Sequence, residues 1–171
     1  MKKHVLSLIL VALLAGCATV KSTVPEGYTG SVATIRDSVT PYGTSKADFF
    51  CVTHVDGTRI EDSRTKTLQV NSGRGMYMAP VVLQRNVLAQ ALTFKIVGRT
   101  EYAAPIMALT HTVFEVSGDV KFVPEKDATY VVKGILGDNY SAVWIERADT
   151  NAVVGDKIEI KGSAKLGVFE K

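Results

Sequence analysis

Val120-Lys121-Phe122-Val123-Pro124, then Tyr130-Val131-Val132-Lys133-Gly134, then Ala142-Val143-Trp144-Ile145, follow one another with only short polar stretches between them. In each run the residues alternate: Val120 and Phe122 against Lys121 and Val123, Tyr130 and Val132 against Val131 and Lys133, Ala142 and Trp144 against Val143 and Ile145. Side chains two apart share one face of a strand, and the runs are rich in β-branched and aromatic residues, so each reads as a β-strand. Pro124, Gly134 and the Ala148–Asn151 segment close them with residues that favour turns. Trp144 is expected to fill the centre of a core, with an interface anchor as the alternative.

Upstream the same pattern recurs. Leu92, Phe94 and Ile96 alternate with Thr93, Lys95 and Val97 before Gly98, and Val113 to Val116 leads into an expected turn at Ser117-Gly118-Asp119. Phe49 to Val55 is an aromatic and β-branched run ended by Asp56-Gly57, a strong hairpin signal, with Thr58 to Ile60 starting the return strand. Val32, Ile35 and Val39 give a weaker first strand before a Pro41-Tyr42-Gly43 turn. Glu61 to Lys66 is polar, Leu68 to Val70 resumes the apolar pattern, and Asn71 to Gly75 turns again. Val153-Val154 and Lys157 to Ile160 supply the last strands, and Gly162 to Lys171 carries no assignment. Pro80 to Ala91 reads as strand or irregular chain; a short helix with Pro80 at its first position is the alternative. Runs interrupted about every 8 to 12 residues imply an all-β fold, an antiparallel β-sandwich of immunoglobulin or transthyretin-like type with about seven to nine strands.

The N-terminus has a different grammar. Lys2 and Lys3 are followed by the apolar run Val5 to Leu14, broken only by Ser7, and then by the small residues Ala15 and Gly16. This is the plan of a secretory signal peptide, and the run is shorter than the roughly 20 apolar residues that a membrane-spanning helix needs. Its end, Leu14-Ala15-Gly16-Cys17, resembles the lipobox of bacterial lipoproteins. That resemblance implies S-diacylglycerol on Cys17, cleavage between Gly16 and Cys17, and N-acylation of the new terminus. Residues 1–16 would then be the signal, 17–27 a lipidated cysteine and flexible tether, and 28–171 one domain. Acyl chains on one residue would anchor the protein without a spanning helix. In enterobacterial lipoproteins an aspartate after the cysteine favours the inner membrane. Ala18 stands there in this chain, so the resemblance implies the periplasmic face of an outer membrane. The Val120–Ile145 runs are also loosely similar to the closing strands of small proteobacterial lipoproteins, which implies a fold and a compartment but no activity.

The chain carries 20 Lys and Arg against 17 Asp and Glu; without Lys2 and Lys3 the balance is 18 against 17. The basic residues are scattered, which is unlike a nucleic-acid binder. Once Cys17 carries lipid, Cys51 is the remaining thiol, and it is expected to be a buried hydrophobe inside the Phe49–Val55 strand.

A search for chemistry yields few convergent groups. His54 and His111 survive processing; His54 stands just before the Asp56-Gly57 turn, and His111 is expected on a strand. No G-x-S-x-G surrounds Ser72, Ser117 or Ser141, all expected beside turns, and H-E-x-x-H and paired C-x-x-C are absent from the sequence. Gly73-Arg74-Gly75 is expected to be a hairpin loop, with anion binding through its amides as the sharper alternative. Met76 and Met78 lie two apart and, with Met107, Cys51 or a histidine, form the soft-ligand set that Cu(I) prefers. Tyr102 to Ile106 is an apolar segment limited by Pro105, expected to cap the sandwich or offer an edge to a partner.

These observations lead to the expectation of a lipid-anchored, non-catalytic envelope module that binds a protein or glycan, with the lipid as its only cofactor-like group. One version is an envelope-assembly or secretion-system lipoprotein. The alternatives are an envelope enzyme or enzyme inhibitor, and a periplasmic copper-binding protein. Lysozyme-inhibitor lipoproteins carry a disulfide framework that one remaining cysteine cannot supply.

Overall fold

The computed structural model describes residues 22–171, so Leu14, Ala15, Gly16 and Cys17 lie outside the described residues. Ten strands and two short helices follow in the order β1 (Val32–Arg36), β2 (Ser38–Tyr42), β3 (Lys46–Val55), β4 (Thr58–Arg59), α1 (Ser63–Val70), β5 (Gln84–Leu88), β6 (Leu92–Tyr102), α2 (Pro105–Thr110), β7 (Glu115–Phe122), β8 (Thr129–Ile135), β9 (Tyr140–Arg147) and β10 (Val153–Lys161). One sheet, A, has the order β10-β9-β8-β1-β5; the other, B, has the order β2-β3-β6-β7, with β4 pairing β3. The fold is an all-β sandwich, as the alternation implies.

Between the sheets lies a core of Ile35, Phe50, Val52, Phe94, Ile96, Val116, Val120, Tyr130, Val132, Val143 and Ile145, all nearly or fully buried. These are the inward members of each alternation. The other members of β3, Ala47, Phe49 and Cys51, are buried as well, because they pack with Met78 on the far face of sheet B. That second small core explains why β3 is apolar without a polar side: α1, α2 and the chain around Met78 cover β3 and the adjoining end of β6 from outside, while the outer side of β7 stays exposed.

The strand count exceeds nine because Asp37 splits the expected first strand. Its residue neighbours belong to different sheets, β1 to A and β2 to B, so the chain crosses the sandwich at this point. β1 runs antiparallel to β5 but parallel to β8, so the sheets are not purely antiparallel. Asp56 and Gly57 both have positive φ, 47° and 74°, the type I′ geometry that suits a two-residue hairpin. The expected turn at Ser117-Gly118-Asp119 is instead the middle of β7, where Gly118 pairs with Ile96. A Cβ at Gly118 would come within 2.9 Å of Ile158 Cδ1, so glycine is there to admit the β10 side chain that closes the sandwich. Gly98 likewise lies inside β6 and does not end it.

Residues 80–91 contain no helix: 80–83 are irregular and Gln84–Leu88 form β5. The helices lie elsewhere. α1 replaces the strand expected at Leu68 to Val70. Asp62 caps it, accepting from the Thr65 amide at 2.8 Å and from the Thr65 hydroxyl at 2.8 Å. Its buried residues are Ser63 and Thr67, whose hydroxyls accept from the Leu83 and Val81 amides, each at 2.8 Å. A helix docked through hydroxyls has no apolar stripe, which is why periodicity misses it.

Trp144 is also not in the core. Val143 and Ile145 point inward, which sends Trp144 to the outer face of sheet A. There Lys157 Nζ lies 4.6 Å from the ring centroid and the indole N–H donates to Glu146 Oε2 at 3.0 Å. Tyr130, Phe50 and Phe94 take the volume expected of it.

Candidate functional site

The outer face of sheet B forms the floor of a cleft of about 700 Å³, a size within the range of small-molecule sites. Its walls are α1 with the following loop on one side and α2 on the other. The loop is held by Asn71, whose amide nitrogen donates to the Thr67 and Ala79 carbonyls at 2.8 and 2.9 Å and whose oxygen accepts from the Ala79 amide at 3.0 Å. On the opposite wall Pro105 starts α2, and the Tyr102 hydroxyl donates to the Thr112 carbonyl at 2.8 Å, tying the end of β6 to the chain beyond α2. Both walls are largely apolar, with Leu68, Met78, Ala103, Ala104, Ala108 and Leu109 facing the space. Leu109 and Ile106 of α2 are more than half exposed, so this short helix keeps its large side chains in contact with solvent.

A line of alternating charges crosses the floor. Arg64 Nε pairs with Glu101 Oε1, Arg99 Nε reaches the same oxygen at 3.0 Å, and Arg99 Nη1 pairs with Glu115 Oε2. Register makes this possible, because Arg99 of β6 stands opposite Phe49 of β3 and Glu115 of β7. Burial works against the charge on Arg64. Glu101 in contact, with Asp62 and Glu115 behind it, outweighs that penalty and holds the guanidinium above its ordinary pKa. Two guanidiniums face two carboxylates along this line, and Lys171, whose ammonium donates to the His111 carbonyl at 2.7 Å, adds a further cation to the cleft wall.

The residues singled out in the sequence do not converge here. His54 sits near the far end of β3 beside Arg59, and its Nδ1 lies 3.0 Å from the Thr53 hydroxyl. His111 is not on a strand. It is the exposed C-cap of α2, with its ring 5.4 Å from that of Tyr102. His54 pairs across the sheet with Lys95, and from Lys95 to Tyr102 β6 advances roughly 23 Å at about 3.3 Å per residue. The two histidines therefore cannot share a reacting atom.

Cys51 is buried in the small outer core. Burial first, then Asp37 and Asp62, push its thiol well above the usual range, the opposite of an activated nucleophile. Met78 packs in the same cluster, whereas Met76 is 65 % exposed and Met107 is half-buried on α2, so the methionines do not form a common ligand set. No group of three or more His, Cys, Asp or Glu among the described residues is placed to hold a metal ion. Gly73 and Gly75 have φ of 81° and 65° in an exposed loop that follows α1 and leads into irregular chain, so it is not the hairpin loop expected, and Arg74 leans on Asn71 Oδ1 at 3.5 Å. Ser72 is on the rim of the cleft and Ser117 is exposed on β7. Ser141 is buried on β9, where its hydroxyl accepts from the Gly137 amide at 3.1 Å and donates to the Gly137 carbonyl at 3.3 Å.

The densest polar site was not legible in sequence. Asp37, fully buried at the crossing between sheets, accepts five hydrogen bonds. Oδ1 receives the Val52 amide at 3.0 Å and Arg85 Nη1 at 3.0 Å; Oδ2 receives the Ser63 amide at 2.9 Å, the Ser63 hydroxyl at 2.8 Å and Arg85 Nη2 at 2.6 Å. It joins β2, β3, α1 and β5 at one carboxylate. With every lone pair used and no access to solvent, this is a structural clamp.

Set against family models, curated proteins and solved structures, the chain matches none of them.

Proposed function

We propose that this chain is a lipid-anchored protein of a bacterial envelope that binds another envelope component through the cleft on sheet B, without performing chemistry on it. The observation that carries the reading is the order of the first 17 residues: basic start, short apolar run, small residues, then Leu14-Ala15-Gly16-Cys17. The cleft supports the binding part, since it joins apolar walls to a floor of paired charges and exposes Leu109 at its rim. The wide separation of His54 and His111 and the burial of Cys51 weigh against an envelope enzyme, and the scatter of the methionines weighs against copper carriage.

Two experiments divide the reading. Replacing Cys17 by Ser should abolish incorporation of labelled fatty acid and release the protein from membranes; continued labelling of the serine form overturns the anchor. A photo-crosslinker at Leu109 should capture a discrete envelope component in intact cells, while one at Lys121, near the opposite end of the same face of sheet B, should not. Equal background capture at both positions removes the cleft from the proposal.

A further inference from the structure

Among the described residues both helices pack on sheet B, α1 on β3 and α2 on β6, and the outer face of sheet A combines cations with half-exposed aromatic rings. Cross-strand pairing sets Lys133 beside Trp144, Ile135 beside Ala142 and Glu159, and Tyr140 beside Lys161. Arg36 joins the same face from β1 through its pairing with Val131. Lys157 lies over both aromatic rings, 4.6 Å from the Trp144 centroid and 5.4 Å from that of Tyr140. The face therefore carries the four cations Arg36, Lys133, Lys157 and Lys161 against the carboxylates Glu146 and Glu159. Both carboxylates are engaged locally: Glu146 by the Trp144 N–H and by Lys133 at 3.9 Å, and Glu159 by the Tyr140 hydroxyl at 2.6 Å and Lys157 at 3.2 Å, which leaves Arg36 and Lys161 as the cations without a carboxylate partner on this face. Ile135 and Val153, each about half exposed, add apolar surface.

The start of the described chain lies against the same sheet. The Thr23 hydroxyl donates to the Asn86 carbonyl of β5, which is an edge strand of sheet A. From Ser22 back to Cys17 there are five residues, a reach of at most about 17 Å. Sheet A is about 19 Å wide at roughly 4.8 Å per strand spacing. A lipid on Cys17 would thus bring a bilayer within reach of this face, whereas the cleft on sheet B is on the opposite side of the sandwich.

We propose that the outer face of sheet A docks on the anionic phospholipid headgroups of the membrane that holds the anchor, with Trp144 and Tyr140 at the headgroup level. This inference rests on the lipid-anchor reading given above. Aromatic rings with a polar tip favour the interface between water and hydrocarbon, and each lysine or arginine near an anionic surface strengthens association about five-fold. Docked in this way, the protein would point the cleft on sheet B away from the membrane.

Trp144 is the only tryptophan in the sequence, so its fluorescence reports this face alone. The two cores lie within residues 33–164, so the chain from Cys17 onward carries all that the sandwich packs. This mature chain is coupled through the Cys17 thiol to maleimide lipid in vesicles; Cys51 is 2 % exposed and does not compete. The anchor is supplied chemically, so failure of lipidation in cells and failure of docking are read separately. On vesicles containing phosphatidylglycerol, Trp144 emission should shift to the blue and brominated lipid should quench it. Phosphatidylcholine vesicles, or 0.5 M salt, should leave it near its free-solution value. Lys133→Gln with Lys161→Gln should weaken docking about 25-fold while the far-UV spectrum and the melting temperature stay unchanged. The same emission on anionic and neutral vesicles, whether shifted or not, overturns the proposal, as does an unaltered response in the double variant.

Discussion

Replacing Asp37 by Asn should cost this protein more stability than most single substitutions. The carboxylate is completely buried and each of its oxygens accepts from groups that can only donate or are already committed: backbone amides of Val52 and Ser63, the Arg85 guanidinium, and the Ser63 hydroxyl, which itself accepts from the Leu83 amide. An amide group in that place must aim its NH₂ at one set of these donors, and it leaves Arg85 as a mostly buried cation without a counter-charge. Breaking a buried pair from one side costs about 3–5 kcal/mol. For a domain of this size, each kcal/mol lowers the melting temperature by about 2–4 °C. The expected fall is therefore on the order of 10 °C, measured by circular dichroism or calorimetry at neutral pH. Arg85→Met should cost a similar amount. The double variant should cost clearly less than the two singles together, because it removes the stranded charge. A loss below about 1 kcal/mol for Asp37→Asn, or strict additivity in the cycle, would refute the view that this carboxylate clamps the crossing between sheets.

Further outcomes follow from the same structure. Asp62→Ala removes the cap of α1 and should destabilise by about 1 kcal/mol, seen as a lower denaturation midpoint with an unchanged slope. Gly134→Ala would set a methyl group against the Phe50 ring and 2.6 Å from the Ala142 carbonyl, at a cost of about 1–3 kcal/mol in thermal unfolding. The raised thiol pKa of Cys51 makes a signed prediction. Its contribution to stability is fully present below the unfolded thiol pKa of about 8.5 and is lost as pH rises from there towards the folded value. Stability should thus decline on the alkaline side, and Cys51→Ala should flatten that decline. The native protein should also react slowly with thiol reagents until it is unfolded.

How much of this could be read in advance depended on which force was at work. The strand at Ala142–Ile145 follows from alternation, but the same alternation, taken with Val143 and Ile145 as the inward pair, places Trp144 outside. A preference for burying large aromatics pointed the other way, and packing by smaller residues prevailed. Gly118 looked like a turn residue because glycine serves both turns and close approaches. Only the position of Ile158, forty residues later, distinguishes the two. The candidate site was less legible still. Arg64, Arg99, Glu101 and Glu115 are unremarkable in sequence and meet only because register aligns β6 with β7 and α1 folds over them.

The local chemistry of the chain by itself determined the β class, the positions of most strands, the Asp56-Gly57 hairpin and the expectation of a lipid-bearing Cys17. Each depends on spacing of two, on turn residues, or on neighbours within a few positions. Tertiary structure alone decided that Asp37 is a clamp, that α1 is a helix docked through hydroxyls, that β3 is buried on both faces, and that Trp144 faces outward. Those features depend on what a residue meets from distant parts of the chain, where burial turns an ordinary aspartate into a fully coordinated one.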